Sequence, residues 1–108
     1  MKEIFRLKEM LEKENIPFEF IERKEMEGYQ IGYPYFAVTK DCICSVIQHK
    51  FSYGNDVNLL EIMGLSHCGD DVEGYLSAED VFERIKKHYE ASYQQVTSKL
   101  KVRSEADD

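Results

Sequence analysis

Residues 41 to 49, DCICSVIQH, place the thiols of Cys42 and Cys44 and the imidazole of His49 within nine residues, and His67 and Cys68 follow in a later loop. Thiolates and imidazoles are zinc ligands, and a thiolate beside a general base is a nucleophile. Either chemistry requires the groups to converge. In an extended strand Cys42 and Cys44 share one face while His49, of opposite parity, points away. A three-ligand set within the segment would therefore need a bulge, and zinc would otherwise have to recruit His67 and Cys68 from a distance. The C-x-x-C spacing of common structural zinc sites is absent. Cys68 has His67 as its sequence neighbour, yet Asp70 and Asp71 would oppose ionisation of the thiol. The stronger account is structural: free cysteine in a β-branched run behaves as a small buried apolar residue.

The elements around these groups follow from periodicity. EIFRLKEMLEKE (residues 3 to 14) sets Ile4, Leu7 and Leu11 at helical spacing, with Phe5 and Met10 widening the stripe. Asn15 can take the left-handed conformation that ends a helix, and Pro17 forbids its continuation. PFEFIER then alternates as a half-buried strand, YQIGYPYF reads as a short second strand ending irregularly at Gly32 and Pro34, and ICSVIQH reads as a third. VNLLEIMGL is a strand or a short helix, with a hairpin arm favoured by the glycines that flank it. SHCGDDVEGYL, residues 66 to 76, reads as a loop. Ser77 then supplies an N-cap, Glu79 and Asp80 suit the first turn of a helix, and Val81, Phe82, Ile85 and Tyr89 form its buried side with Arg84, Lys86 and Lys87 outside.

The expected architecture is α+β: an N-terminal helix, a three- to four-stranded antiparallel sheet and a C-terminal helix in two layers. One domain covers residues 1–93, and residues 94–108 are a helical extension or a mobile tail. An uncovered sheet face or edge would support a homodimer. No apolar run approaches membrane-spanning length and no secretory signal opens the chain, so a cytoplasmic protein without membrane contact is expected.

Charge and aromatics suggest how it would act. The net charge of −7 argues against direct nucleic-acid binding. Between Lys50 and Arg84 there is no basic residue, whereas eight carboxylates, among them Asp56, Glu61, Asp70, Asp71, Glu73 and Glu79, fall in that interval. Such a run is a solvated surface or a patch complementary to a basic partner. Tyr33, Tyr35 and Tyr53 would anchor that partner if they stand on an exposed face, and Tyr29, Tyr33 and Tyr53 would alternatively stack on nucleotide or single-strand bases. Asp70 and Asp71 as a hydrolytic pair lack a companion base or phosphate cradle.

At IPFEF (16 to 20), LLEIMGL (59 to 65) and GYLSAEDVFERI (74 to 85) the chain resembles small proteins carried by prophages and mobile elements of gut Firmicutes. The resemblance implies a context in which inhibitors of host defence, anti-CRISPR proteins among them, are common. The combined expectation is a non-enzymatic interaction protein without cofactor or metal. It would inhibit a basic nucleic-acid-handling host protein, such as a CRISPR effector, through its acidic surface. The alternative is a metal- or thiol-dependent protein using Cys42, Cys44, His67 and Cys68.

Overall fold

Ile4, Leu7 and Leu11 are fully buried along one side of helix α1 (Glu3–Lys13), as their spacing requires. The helix stops where the sequence says it must. Asn15 sits at φ 57°, its amide donates to Glu12, and the Ile16 amide donates to Leu11, which is the paired bonding of a Schellman terminus. Ile16 then packs in the same core as Leu11. The computed structural model describes residues 1–36, 42–67 and 72–107, with side chains described through residue 92.

Five strands follow as an antiparallel meander in chain order: β1 (Glu19–Arg23), β2 (Gly28–Tyr33), β3 (Cys44–Gln48), β4 (Leu60–Met63) and β5 (Val72–Leu76). Helix α2 (Ala78–Asp107) closes the fold and packs beside α1 on the same face of the sheet. The architecture is the α+β arrangement of two layers, with one strand more than the three or four expected. The extra strand is β5, which lies inside the stretch read as a loop. Its alternation is hidden by a bulge: Leu60 faces Leu76 and Ile62 faces Glu73, so β5 spends one residue more than β4. Tyr75 takes φ 59° there, and the two-residue period is lost. Within 57 to 65, the strand reading holds for Leu60–Met63, preceded by a 3₁₀ turn at Asn55–Val57. The third strand starts at Cys44, one residue inside the stretch ICSVIQH, and leaves Cys42 ahead of it.

The helix-facing side of the sheet carries Ile31 and Tyr33, Cys44 and Val46, Leu60 and Ile62, and Leu76, all buried with Val81 and Ile85 of α2. Phe5 of α1 meets Tyr29 at 4.6 Å between centroids, and Phe20 stacks on Tyr29 at 5.6 Å. This ring cluster closes the β1 side of the core.

Polar groups fix how the helices enter. Lys2 gives α1 no side-chain cap. Instead, the Ile4 amide donates to Gln48 Oε1 at 3.0 Å and the Glu3 amide donates to Asn58 Oδ1 at 3.1 Å. Gln48 Nε2 in turn donates to Asn58 Oδ1 at 2.7 Å. The carboxylate of Glu3 reaches across to accept the Ala78 amide, the first of α2, at 2.7 Å, and Arg6 holds its other oxygen at 2.6 Å. Within α2 itself, Ser77 Oγ accepts from the Asp80 amide while the Asp80 carboxylate accepts from the Ser77 amide. That reciprocal pair is the expected N-cap.

Gln48 is 1% exposed. Gln48→Leu keeps its bulk and adds apolar surface, yet leaves the Ile4 amide buried without an acceptor. We expect a loss of about 2 kcal/mol in unfolding free energy. Urea denaturation measures it, and a midpoint equal to or above that of the parent would show that the amide is satisfied in some other way.

Candidate functional site

Cys44 faces the core at 2% exposure, and burial, with Cys42 nearby, pushes its thiol up to about 12. A buried thiol held protonated at neutral pH is a poor nucleophile. Cys42 stands just ahead of β3, where its Sγ donates to the Cys44 carbonyl at 3.1 Å and approaches the Tyr33 carbonyl at 3.6 Å. His49 is buried and accepts the Phe51 amide at Nδ1, 3.1 Å away, so its task is to hold a turn with Ser52. His67 is exposed, and its amide donates to Glu73. Cys68 lies outside the described residues. Among the described residues no three of His, Cys, Asp and Glu converge as a metal set.

The tyrosines separate onto different surfaces. Tyr33, expected at a partner or nucleotide surface, is 2% exposed because β2 turns it toward the helices. There its hydroxyl pairs with His88 Nδ1 at 2.8 Å, and burial raises it to about 12. Tyr29, the other half of the expected stacking platform, is held between Phe5 and Phe20. Tyr53 and Tyr35 do reach solvent, at 62% and 37% exposure. No single platform therefore contains Tyr29, Tyr33 and Tyr53.

The acidic interval does not form one field among the described residues. Glu73 faces the helices, opposite Ile62, where Arg84 grips it at 2.8 and 3.0 Å with side-chain exposures of 11% and 17%. Arg84, expected outside, is thus inside, because the β5 bulge turns a carboxylate toward it. Glu79 pairs with Arg6 of α1, and Asp56 is exposed on the 3₁₀ turn. Glu61 stands on the opposite face of the sheet, where its Oε1 accepts the Tyr53 amide at 2.9 Å. Asp70 and Asp71 lie outside the described residues. Arg6 and Arg84 come from the segments that flank the interval in sequence, so a run without basic residues became a surface that borrows them.

A groove of about 610 Å³ runs between Leu65–His67 and α2, but its charged walls are engaged: Arg84 with Glu73, Lys87 with Glu83 at 3.3 Å, and His88 with Tyr33. The surface with capacity to spare is the side of the sheet turned away from both helices. Across it, Ile21, Gln30, Ile47 and Glu61 stand in one register row, and Glu19, Gly32, Ser45, Met63 and Val72 in the next. Met63 is 53% exposed, and Ile43 and Val72 are each 37% exposed. Toward the opposite end of β5 from Val72, Tyr53 and Tyr75 are also exposed, linked by the Tyr75 amide donating to the Tyr53 carbonyl. Gly74 is obligatory there, since a Cβ would sit 2.4 Å from that of Tyr53.

A polar ladder crosses the same face. Arg23 Nε and Nη2 donate to Gln30 Oε1 at 2.8 and 2.6 Å, and Gln30 Nε2 donates to Ser45 Oγ at 2.8 Å. Among Arg23, Gln30, Ser45 and Ile47 and the neighbouring β4 residues Glu61 and Met63, the face is hollowed by about 240 Å³. Sequence reasoning missed this surface because its apolar members come from four separate segments, none of which is apolar enough alone to draw notice.

The bond from Arg84, followed by the His67 amide, holds the Glu73 carboxyl at about 2, below its ordinary 4.5. A depressed folded-state value means that the pair stabilises fully above pH 4.5 and loses its effect as pH falls toward 2. Thermal melts of Glu73→Gln and the parent should therefore differ most above pH 4.5 and converge near pH 2. A gap independent of pH would show that Glu73 acts through packing instead of charge.

No protein-family model, curated protein or solved structure matches this chain.

Proposed function

We propose that the protein is a non-enzymatic interaction module that binds a protein partner through the uncovered face of its sheet. The observation that carries this reading is the exposed group Ile43, Met63 and Val72, with Tyr53 and Tyr75 exposed toward the other end of β5, on a sheet whose other side is filled by two helices. Contiguous apolar surface with a polar surround is what protein interfaces are made of, and tyrosine at the rim adds area at small entropic cost. The ladder of Arg23, Gln30 and Ser45 would give the contact its register, since polar groups at an interface select orientation more than they add affinity.

Several features support a binding role over a reaction. Cys44 is buried, Cys42 is bonded to carbonyl groups, and Glu73 and Glu79 are held by arginines. Inhibition of a nucleic-acid-handling host protein is the context that the family resemblance implies. Among the described residues, the acidic groups on which that role depended are divided among both sheet faces, a turn and a helix start. The sheet face is accordingly the surface on which the proposal rests.

A photo-crosslinking residue placed at Met63 tests it, with Glu12 on the exposed side of α1 as the control position. In a bacterial lysate, covalent adducts are expected from Met63 and not from Glu12. Met63→Lys should abolish partner capture while changing unfolding free energy by under about 1 kcal/mol, because the side chain is solvated at its strand position. Equal labelling at both positions, or none at Met63, overturns the reading.

A further inference from the structure

We infer that the partner of the open sheet face is a second copy of this chain, docked face to face about a two-fold axis that runs parallel to the strands over the β2–β3 boundary. This inference rests on the reading that the open face is the interaction surface and names its occupant.

The argument begins at the edges. A sheet can recruit another chain by adding a strand to its margin, but here both margins are blunted. The β1 edge follows Pro17 and carries Glu19, Glu22 and Arg23, while the β5 edge is broken by the bulge at Gly74 and Tyr75. Charge, proline and bulges are the usual devices against edge pairing. Association is directed to the face.

The face is self-complementary. A two-fold axis over the β2–β3 boundary sets β1 of one copy opposite β4 of the other, and β2 opposite β3. The one guanidinium among the described residues of this face belongs to Arg23 on β1; its bonds to Gln30 draw it over the row that Gln30 shares with Ile47 and Glu61, while its other nitrogen lies 3.7 Å from the exposed Glu25, a solvated pair that a mate's carboxylate can replace. Glu61 on β4 stands in that same row, where its Oε1 accepts the Tyr53 amide. Under the two-fold, Arg23 of each copy comes beside Glu61 of the other, so the pair forms twice. Between the two pairs Ile47 of each copy lies against the Gln30 row of its mate, and Met63 lies against Ile21 and Glu19. Packed sheets stand about 10 Å apart, a gap that an arginine and a glutamate together span.

Area sets the strength. Four interstrand spacings by five-residue strands give a footprint of roughly 350 Å² per partner, smaller than that of stable specific interfaces, and β5 with its tyrosines overhangs the overlap. A footprint of this size suits a weak, reversible dimer.

Sedimentation equilibrium of the purified full chain, from about 5 to 500 μM, reads this directly. Arg23→Glu and Glu61→Arg should each weaken self-association at least tenfold, and the double reversal should return it to within about threefold of the parent. Circular dichroism confirms folding of each variant. A measurement free of any charge variant accompanies it: a photo-crosslinking residue at Met63 in the purified chain should give covalent dimers whose adducts map to residues 19–23 of the mate. A parent that stays monomeric at 500 μM, single reversals without effect, a double reversal that fails to rescue, or adducts on the helices would each overturn the inference. A monomer whose Met63 position captures an unlike protein in lysate overturns the second copy alone. A monomer with no Met63 adduct anywhere overturns the open-face reading as well.

Discussion

Both helices of this protein begin inside it, and a helix that starts away from water brings amide hydrogens that its own backbone cannot bond. The fold answers with side chains from elsewhere. Gln48, at the end of β3, accepts the Ile4 amide, Asn58 accepts the Glu3 amide, and the Glu3 carboxylate accepts the Ala78 amide. One chain of bonds thus ties the start of α1 to the middle strand and to the start of α2. Because each acceptor is itself oriented by a neighbour, Gln48 by Asn58 and Glu3 by Arg6, the helices have one depth and one direction at which no amide is orphaned. Apolar burial would press them onto the sheet; these bonds decide where.

That constraint shapes the surface. With α1 and α2 held side by side, the whole apolar content of the helix-facing side is spent, from Ile31 to Leu76. Rings that could have served recognition, Tyr29 and Tyr33, are spent with it. The other side of the sheet receives no helix, and what the alternation of β3 and β4 places there is mixed: Ser45 and Glu61 beside Ile47 and Met63. A purely apolar face would adhere without selection, and a purely polar one would not adhere. The ladder from Arg23 through Gln30 to Ser45 crosses this side as a fixed polar feature on a half-apolar ground.

Much of the fold could be read from local patterns. Ile4, Leu7 and Leu11 announced α1, Asn15 and Pro17 its end, and Ser77 with Asp80 the start of α2, because each signal acts over four residues or fewer. What escaped depends on distance or on irregularity. The bulge at Gly74 and Tyr75 erased the alternation that would have revealed β5 and turned Glu73 inward, so Arg84 went from an expected surface residue to a half-buried partner. Gln48 looked like one polar residue in a strand, and nothing near it in sequence indicates that it caps a helix 44 positions away. The acidic interval misled for the same reason: a one-dimensional gap in positive charge says nothing about Arg6 folding back to Glu79. The candidate surface was the least legible part, since residues from β1 to β5 contribute to it a row at a time.

The same long-range logic bears on what kind of protein this is. A catalytic site concentrates shifted ionisation in a cleft. Here the resolved shifts have structural causes: Cys44 and Tyr33 are raised by burial, and Glu73 and Glu79 are lowered by hydrogen bonds, from Arg84 foremost at Glu73 and from the backbone and Arg6 at Glu79. Each of these groups is already committed to holding one element against another. Arg23 and Glu61 lie on the side of the sheet the core does not use, Arg23 bonded to Gln30 and 3.7 Å from the exposed Glu25, and Glu61 accepting the Tyr53 amide. Charge of both signs on a half-apolar face selects a partner of matching pattern, and the surface that meets Arg23 and Glu61 equally well is one that presents Glu61 and Arg23 in return.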